Sequence, residues 1–183
     1  MIIFIGVAGS GKSIQGRLLA QTINAKYFSM GEFLRNHVVD PIVKEKMITG
    51  ELLSDIDVIS LIDDALPKEK QYEEEYILDG FPRSIVQADW LIEKVQRKRF
   101  SIRGIIHLQA TSETIIPRLL ERKRPDDNLE AISNRISEYQ NTILPILDRL
   151  KEVGMKVYDI NAEKSIEEVH NDIVNNIKLG SLI

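Results

Sequence analysis

The chain has 183 residues, of which 43% are hydrophobic and 28% are charged, and this composition predicts one globular domain with a sizeable core. Its 24 Lys and Arg residues against 28 Asp and Glu residues give a net charge of -4, which argues against a surface that coats nucleic acid. The sequence has no cysteine, which excludes disulfides, thiol catalysis and Cys-ligated zinc and fits a reducing compartment. We expect no membrane-spanning segment, because no apolar run approaches the roughly 20 residues that a bilayer requires.

A glycine-rich segment follows the first apolar run. Residues 6–13 read GVAGSGKS, after Ile2–Ile5 and before a helical pattern. This order is typical of a phosphate-binding P-loop, because glycines let backbone N–H groups curl around a polyphosphate and the helix directs its N-terminal dipole at the anion. Lys12 would reach the outer phosphates, and the Ser13 hydroxyl could bind Mg²⁺. A merely flexible turn is the alternative, but this spacing is rare by chance, so we expect the chain to bind a nucleoside triphosphate or a similar phosphate.

Short apolar runs alternate with helical patterns along the chain, which is typical of a parallel sheet built from βαβ units. Three of the runs lack polar alternation, as expected for strands that are covered on both faces. The sequence therefore predicts an α/β fold with a five-stranded parallel sheet. The predicted strands are Ile2–Ile5, Lys26–Phe28, Tyr76–Leu78, Gly104–Leu108 and Lys156–Ile160.

Residues 29–58 predict a helical excursion between the second and third strands. Ser54 is a good N-cap for its last helix, with Asp57 at the capping-box distance. Inserted helices beside a P-loop could form a flap over a second substrate, or they could be ordinary packing, and the residues alone favour neither. Arg35 in this segment is a candidate phosphate ligand, although a lone surface arginine is usually just solvated.

The segment YILDGFPR at residues 76–83 places Asp79 at the carboxyl end of a predicted strand. Ligands of open α/β sheets bind at this end, and an acidic residue there organises Mg²⁺ in P-loop enzymes. A helix cap or a turn is the alternative role. The Gly-Phe-Pro sequence predicts an abrupt bend, after which Arg83 leads toward the same crevice with a planar fork that suits a phosphate.

A third cluster, RLLERKRPDD at residues 118–127, is rich in arginine. Arg118 and Arg122 would share one helix face, and like charges stacked in this way are unfavourable unless an anion binds them. A solvated charge run is the alternative. Asp126 and Asp127 could orient these arginines and begin the next helix.

That next helix is predicted to carry Arg135 and to run to about Glu152, with a kink at Pro145. His107 lies within a predicted apolar strand, where a histidine is more often a satisfied core residue than a catalyst.

Taken together, these segments resemble the adenylate kinase family of nucleoside monophosphate kinases over nearly the full length of the chain. The Asp-Gly-Phe-Pro-Arg segment with a later Gln is highly specific when it is joined to a P-loop. The matching landmarks are Gly11-Lys12 with Gln15, Ser29-x-Gly31-Glu32-x-Leu34-Arg35, Gly50-x-Leu52, Leu78 to Arg83 with Gln87, Arg118-Leu119-x-x-Arg122, Arg124-x-Asp126-Asp127, Arg135 and Pro145. The resemblance implies a P-loop NTPase-type three-layer sandwich in a single domain over residues 1–183, with a helical NMP-binding insertion at residues 29–58 and a minimal lid at residues 122–127.

The resemblance also implies the roles of individual residues. Those implied to bind ATP are Gly9, Ser10, Gly11, Lys12, Ser13, Ile14, Arg118, Arg122 and Lys164. Those implied to bind the monophosphate are Met30, Arg35, Leu52, Leu53, Gly80, Arg83, Gln87, Arg124 and Arg135. The cations implied to act in catalysis are Lys12, Arg83, Arg122, Arg124 and Arg135. Asp79 is implied to bind Mg²⁺ through water, beside Ser13.

Some residues depart from the family pattern. One residue separates Arg122 from Arg124, so the large lid of long-form members is absent and we expect no zinc. The Lys-Ser-Ile sequence that starts at Lys12 replaces the usual Lys-Gly-Thr, although its serine restores the general P-loop hydroxyl. Met30 stands where adenylate kinases usually have Thr, which leaves a pyrimidine acceptor open, whereas Ser84 favours AMP.

The sequence therefore predicts reversible transfer of the γ-phosphoryl group of MgATP to a nucleoside monophosphate, with AMP as the expected acceptor (ATP + AMP = 2 ADP). A UMP/CMP kinase, a catalytically weak nucleotide-binding regulatory module and a P-loop kinase of small metabolites are the alternatives. We expect a cytoplasmic monomer that binds ATP, a nucleoside monophosphate and Mg²⁺, but neither nucleic acid nor membrane.

Overall fold

The structure is a computed structural model that describes residues 1–37, 54–66, 75–124 and 127–179. Its strands are β1 Ile2–Gly6, β2 Lys26–Ser29, β3 Tyr76–Asp79, β4 Gly104–Gln109 and β5 Val157–Asn161. Its helices are α1 Lys12–Thr22, α2 Met30–His37, α3 Asp55–Ala65, α4 Ile85–Gln96, α5 Ser112–Arg122, α6 Leu129–Glu138, α7 Leu144–Glu152 and α8 Ile166–Leu179. A π-helical turn at Tyr139–Ile143 joins α6 to α7. Within the described ranges, no helix is long and apolar enough to cross a membrane.

The five strands form one parallel sheet in the order β2-β3-β1-β4-β5, and this confirms the predicted fold class. β1 is the central strand, because it pairs with β3 on one side and with β4 on the other. The carboxyl ends of all five strands therefore lie along one edge of the sheet, where open α/β folds bind ligands. The glycine-rich loop that follows β1 and the Asp79 carboxylate that ends β3 are brought together at the middle of that edge.

Helices cover both faces of the sheet, which explains why its strands read as uninterrupted apolar runs. Along β1, Ile2 and Phe4 join the apolar cluster that includes residues of α1 and α8, whereas Ile3 and Ile5 join the cluster that includes residues of α3, α4 and α7. None of these four β1 side chains is more than 3% exposed. Burial of a side chain of this size contributes roughly 2 kcal/mol, so β1 anchors both outer layers of the sandwich.

Local helix signals were less accurate than the strand pattern. Ser54 precedes α3 as predicted, but its side chain makes no capping hydrogen bond, so the capping box expected with Asp57 does not form. α6 begins after Asn128, whose side-chain oxygen accepts a hydrogen bond of 2.9 Å from the Ala131 N–H. The prediction that this helix begins at Asp127 was therefore wrong, and Asp126 lies outside the described residues.

The predicted irregularity near Pro145 takes the form of the π-helical turn, which ends at Ile143. Proline has no N–H to donate to the preceding turn, and a wider turn just before it accommodates that loss.

His107 is a satisfied core histidine, as the sequence predicted. It is 2% exposed, and its Nδ1 lies 2.6 Å from Asp159 Oδ1 while its Nε2 lies 2.7 Å from the Tyr139 hydroxyl oxygen. The neutral ring satisfies both partners, because Nδ1–H donates to the carboxylate and Nε2 accepts the phenol proton. Burial lowers the pKa of His107, although the nearby Asp159 acts in the opposite direction.

We expect His107 to make the fold less stable in mild acid. Its pKa in the folded chain lies below the ordinary value of 6.5, so the unfolded chain takes up this proton at a higher pH than the folded chain does. The free energy of unfolding should therefore decrease as the pH falls below 6.5. His107→Asn keeps an N–H donor but does not titrate, so urea unfolding at about pH 7.5 and about pH 5.5 should show a smaller decrease for this variant. An equal decrease in both proteins would contradict the assignment.

Candidate active site

A cleft of about 780 Å³ opens at the carboxyl edge of the sheet. Its walls come from the loop after β1, the start of α2, the end of β3, the helices α5 and α6, and the loop that leads into α8. The structure brings together every predicted site residue that it describes: Gly9, Ser10, Gly11, Lys12, Ser13, Ile14, Met30, Arg35, Asp79, Gly80, Arg83, Gln87, Arg118, Arg122, Arg124, Arg135 and Lys164. Leu52 and Leu53, which were also predicted here, lie outside the described residues.

The glycine-rich loop depends on backbone conformations that other residues rarely adopt. Gly9 has a φ of +83° and Gly11 has a φ of +92°, both in the left-handed region. A Cβ atom at Gly9 would also lie 3.0 Å from side-chain carbons of Ile115 and Leu119. The loop leads directly into α1, whose N-cap, Gly11, makes no side-chain capping hydrogen bond. The first N–H groups of α1 therefore remain available to an anion in the cleft.

Lys12 is folded back over this loop. Its Nζ donates hydrogen bonds of 2.8 Å to the Gly6 carbonyl oxygen and 2.9 Å to the Val7 carbonyl oxygen. Burial lowers the pKa of Lys12 to about 8, and the nearby Arg83 and Arg122 also lower it, whereas Asp79 raises it. A polyphosphate in the cleft would favour the charged form of this amine.

Ser13 and Asp79 place two oxygen donors next to this phosphate site. The Ser13 hydroxyl donates to Asp79 Oδ2 over 2.7 Å, and Asp79 is 3% exposed at the end of β3. Mg²⁺ in phosphoryl-transfer sites is usually held by one or two protein oxygens together with substrate phosphates and water, so this donor set fits Mg²⁺. In the part of the chain that the structure describes, no group of three or more His, Cys, Asp or Glu residues could hold a metal by itself. A metal that arrives with the nucleotide suits this arrangement.

Asp127 organises the arginines that end α5 and lie along α6. Its carboxylate accepts hydrogen bonds from Arg122 Nε at 2.8 Å, Arg122 Nη2 at 2.5 Å and the Arg124 N–H at 3.1 Å, and Arg135 Nη1 lies 3.5 Å away. Burial alone would raise the pKa of Asp127, but the contacts with these partners outweigh burial and lower it. Asp127 is therefore ionised, and it orients Arg122 and Arg135, the role that the sequence predicted for it.

The remaining cations differ in how they are held. Arg118 Nη1 donates a hydrogen bond of 3.0 Å to the Ala162 carbonyl oxygen, which ties α5 to the loop before α8. Lys164, at the rim of the cleft, directs its side chain to Asp172, with Nζ 2.7 Å from Oδ2. The guanidinium groups of Arg83 and Arg124 line the cleft without a hydrogen bond or ion pair to any residue that the structure describes.

Gln87 has its side-chain amide fixed by two neighbours. It is 2% exposed; its Nε2 donates to Asp55 Oδ1 at 2.8 Å, and its Oε1 accepts from the Arg83 N–H at 2.8 Å. Ser84 reinforces the arrangement, because its hydroxyl donates to the same Asp55 oxygen at 2.6 Å and accepts from the Gln87 N–H at 3.1 Å. The amide cannot be reversed without placing like groups against each other. Met30 is also 2% exposed, packs in the core cluster with Leu34 and Val58, and lines the cleft as Gln87 does.

The sequence analysis missed two polar residues of the site. Asp55 binds Gln87 across a separation of 32 residues, and no local pattern could have indicated that contact. Tyr27 donates its hydroxyl proton to Asp79 Oδ2 at 2.7 Å. The alternation of side chains along a strand could have pointed to Tyr27, because Tyr27 and Ser29 share one face of β2 and Ser29 lines the cleft.

Comparison with known proteins agrees with the geometry. Residues 4–155 match the family model described as adenylate kinase. The chain is 34% identical over 177 residues to an adenylate kinase of Prochlorococcus marinus (strain AS9601), with 94% of this chain and 95% of the relative covered. It is 34% identical over 185 residues to an adenylate kinase of Leptospira biflexa serovar Patoc, with 96% and 98% covered. It is 33% identical over 182 residues to adenylate kinase 1 of Synechocystis sp. (strain PCC 6803), with 97% and 96% covered.

We expect Asp127→Asn to destabilise the fold by about 2 kcal/mol, because it removes the charge that Arg122 and Arg135 share while keeping the shape of the side chain. Asp148→Asn is the matched control, since Asp148 is exposed on α7. Denaturant unfolding of both variants measures the effect. Equal stability of the two variants would show that Asp127 does not hold the arginines in solution.

Proposed function

The chain belongs to the adenylate kinase family of nucleoside monophosphate kinases, and we propose that it transfers the γ-phosphoryl group of MgATP reversibly to AMP. The observation that carries the choice of AMP is the fixed orientation of the Gln87 amide in the cleft. Three relatives that match almost the whole chain are named adenylate kinases, which supports the same choice.

The hydrogen bonds of Gln87 favour one pattern of donors and acceptors on the base. A side-chain amide has two N–H donors and two acceptor lone pairs, and Asp55 uses one donor while the Arg83 N–H uses one lone pair. One donor and one acceptor remain, and they match the N1 acceptor and N6 donor of adenine. Uracil and guanine present a ring N–H beside a carbonyl, so they would require the reversed amide. Cytosine has the same pattern as adenine, and its exclusion rests on the relatives' names.

The cations of the cleft suit transfer between two phosphates. In the proposed reaction an oxygen of the acceptor phosphate bonds to the γ-phosphorus, while the bond from that phosphorus to the β–γ bridging oxygen breaks and ADP leaves with the electron pair. Such transfer needs little besides positioning and stabilisation of the charge on the moving group. No general base is required, because the acceptor oxygen is already ionised.

We assign the cations to two sides of the reaction. Lys12, the loop backbone and Arg122 hold the ATP phosphates, and Arg118 with the Lys164 backbone lies on the side of the ATP base. The cations assigned to the acceptor phosphate and the moving group are Arg35, Arg83, Arg124 and Arg135.

Ser13 and Asp79 are the residues that would hold Mg²⁺, with Asp79 acting through water. The metal, when bound with ATP, neutralises part of the charge on the phosphates.

We further propose that residues 29–58 close over the acceptor and that residues 122–127 act as a minimal lid. α2 contributes Arg35 to the cleft, and α3 contributes the Asp55 contact with Gln87. Closure at both places would exclude water, which would otherwise compete for the phosphoryl group. Residues 38–53, which form much of the first segment, lie outside the described residues. The monomeric state and the cytoplasmic location stay predictions.

Purified protein incubated with MgATP and, separately, AMP, CMP, UMP and GMP tests the proposal. We expect ADP formation with AMP, and we expect Lys12→Ala or Arg83→Ala to lower turnover by at least about a hundredfold with the fold intact by circular dichroism. A preference for CMP or UMP would make the chain a pyrimidine kinase. ATP binding without transfer to any acceptor would favour a regulatory module.

Asp55→Ala tests the fixed amide. We expect the KM for AMP to rise about tenfold, and the preference for AMP over UMP and GMP to decrease, because Gln87 is then held in this orientation by the Arg83 N–H alone. Asp57→Ala is the matched control, since Asp57 is an exposed carboxylate on the same helix. If the two variants discriminate among acceptors equally well, the orientation of Gln87 does not select the base.

A further inference from the structure

Asp79 Oδ2 accepts two hydroxyl protons. Ser13 donates to it from the start of α1, and Tyr27 donates to it from β2, each over 2.7 Å. Only the serine belongs to the phosphate-binding loop. Tyr27 lies on the edge strand, and its hydroxyl lies close to the side chains of Ser13 and Ser29 as well as bonding to Asp79.

The two hydrogen bonds leave the two carboxylate oxygens of Asp79 with different numbers of partners. A carboxylate oxygen has about two lone-pair directions, so two O–H donors occupy those of Oδ2. Oδ1 makes no hydrogen bond to any residue in the described ranges. The carboxylate is therefore held by one oxygen and offers the other. The Ser13 hydroxyl likewise gives its proton to Asp79 and keeps its lone pairs.

The tyrosine ring is held in place by its own set of contacts. A Cβ atom at Gly16 would lie 2.7 Å from Tyr27 Cε2, so the ring packs where α1 has no side chain. The Arg17 guanidinium lies over the ring, 4.6 Å from its centroid, and is paired with Glu32. A glycine in a helix interior costs about 1 kcal/mol relative to alanine, and here it makes room for the ring. The packing on Gly16 and the Arg17 guanidinium over the ring hold Tyr27 where its hydroxyl reaches Asp79.

We propose that Tyr27 is a positioning residue of the metal site: with Ser13 it fixes Asp79 by Oδ2, so that Oδ1 is presented to the water shell of Mg²⁺ and the Ser13 oxygen stays free for the metal. Residues that hold a metal-binding group in this way typically change metal affinity 10- to 100-fold when they are altered. The inference rests on the proposed use of MgATP, but it does not depend on which monophosphate is the acceptor.

ATP binding to Tyr27→Phe, measured by calorimetry in EDTA and again in excess Mg²⁺, tests this role without any turnover. We expect the affinity in EDTA to stay within about twofold of the wild type, because the P-loop is unaltered, and the gain in affinity on adding Mg²⁺ to fall about tenfold. Mn²⁺ binding to the protein–ATP complex, followed by the loss of free-Mn²⁺ electron paramagnetic resonance signal, should weaken by a similar factor.

Tyr158→Phe is the matched control. Its ring packs on a glycine in the same manner, with Cε2 2.7 Å from a Cβ built at Gly104, but it lies on the opposite edge strand, away from the cleft. Both affinities should be unchanged in this variant. If Tyr27→Phe keeps the wild-type gain in ATP affinity from Mg²⁺, the proposal is overturned. Equal losses of affinity in EDTA and in Mg²⁺ are one form of that result and would leave Tyr27 a structural role. If the wild type gained nothing from Mg²⁺, the proposed use of MgATP would fail as well.

Discussion

Two buried carboxylates, Asp79 and Asp127, offset the repulsion among the cations that gather at the carboxyl edge of the sheet. The chain carries a net charge of -4, yet its cleft gathers Lys12 and six arginines: Arg35, Arg83, Arg118, Arg122, Arg124 and Arg135. Asp79 raises the pKa of Lys12 against the effect of burial, and Asp127 pairs with Arg122 and Arg135. Among the described residues, Asp79, Asp127 and Glu121, which also lines the cleft, are outnumbered by these seven cations, so a surplus of positive charge faces the cleft.

The sheet topology explains how this charge is collected without a continuous basic segment in the sequence. The cations come from the start of α1, from α2, from the segment after β3 and from the α5–α6 helix pair, and the parallel arrangement brings them to the same edge. The hydrogen-bonding groups that would select a base come from a separate pair of helices, α3 and α4. In the proposed function, phosphate binding and base selection therefore draw largely on different elements and meet at Arg83, whose N–H fixes Gln87 and whose guanidinium lines the cleft.

The fold was predictable because strands covered on both faces have an unmistakable apolar pattern, and the P-loop was predictable because few other structures need those glycines beside a lysine. Arg118 and Arg122 were predicted because like charges on one helix face are unfavourable without an anion, Arg83 was predicted from its place after a strand end, and the roles of Arg124, Arg135 and Lys164 came from the family resemblance. The contacts made by Tyr27 and Asp55 were not found, because each joins residues that are distant in the chain and that only the tertiary fold brings together. The capping box expected between Ser54 and Asp57 does not form, whereas the neighbouring Asp55 bonds to Ser84 and Gln87, two residues that no local pattern would connect to it.

The packing of Tyr27 on Gly16 constrains the order in which these two positions can change during evolution. An alanine at position 16 would meet the ring at 2.7 Å, whereas a smaller residue at position 27 leaves Gly16 without strain. The aromatic residue must therefore be lost before the glycine can be. The same asymmetry governs Tyr158 and Gly104 on the other side of the sheet. In each pair the glycine can be replaced only after the tyrosine has been replaced by a smaller residue. Homologues that keep the tyrosine are therefore expected to keep its glycine.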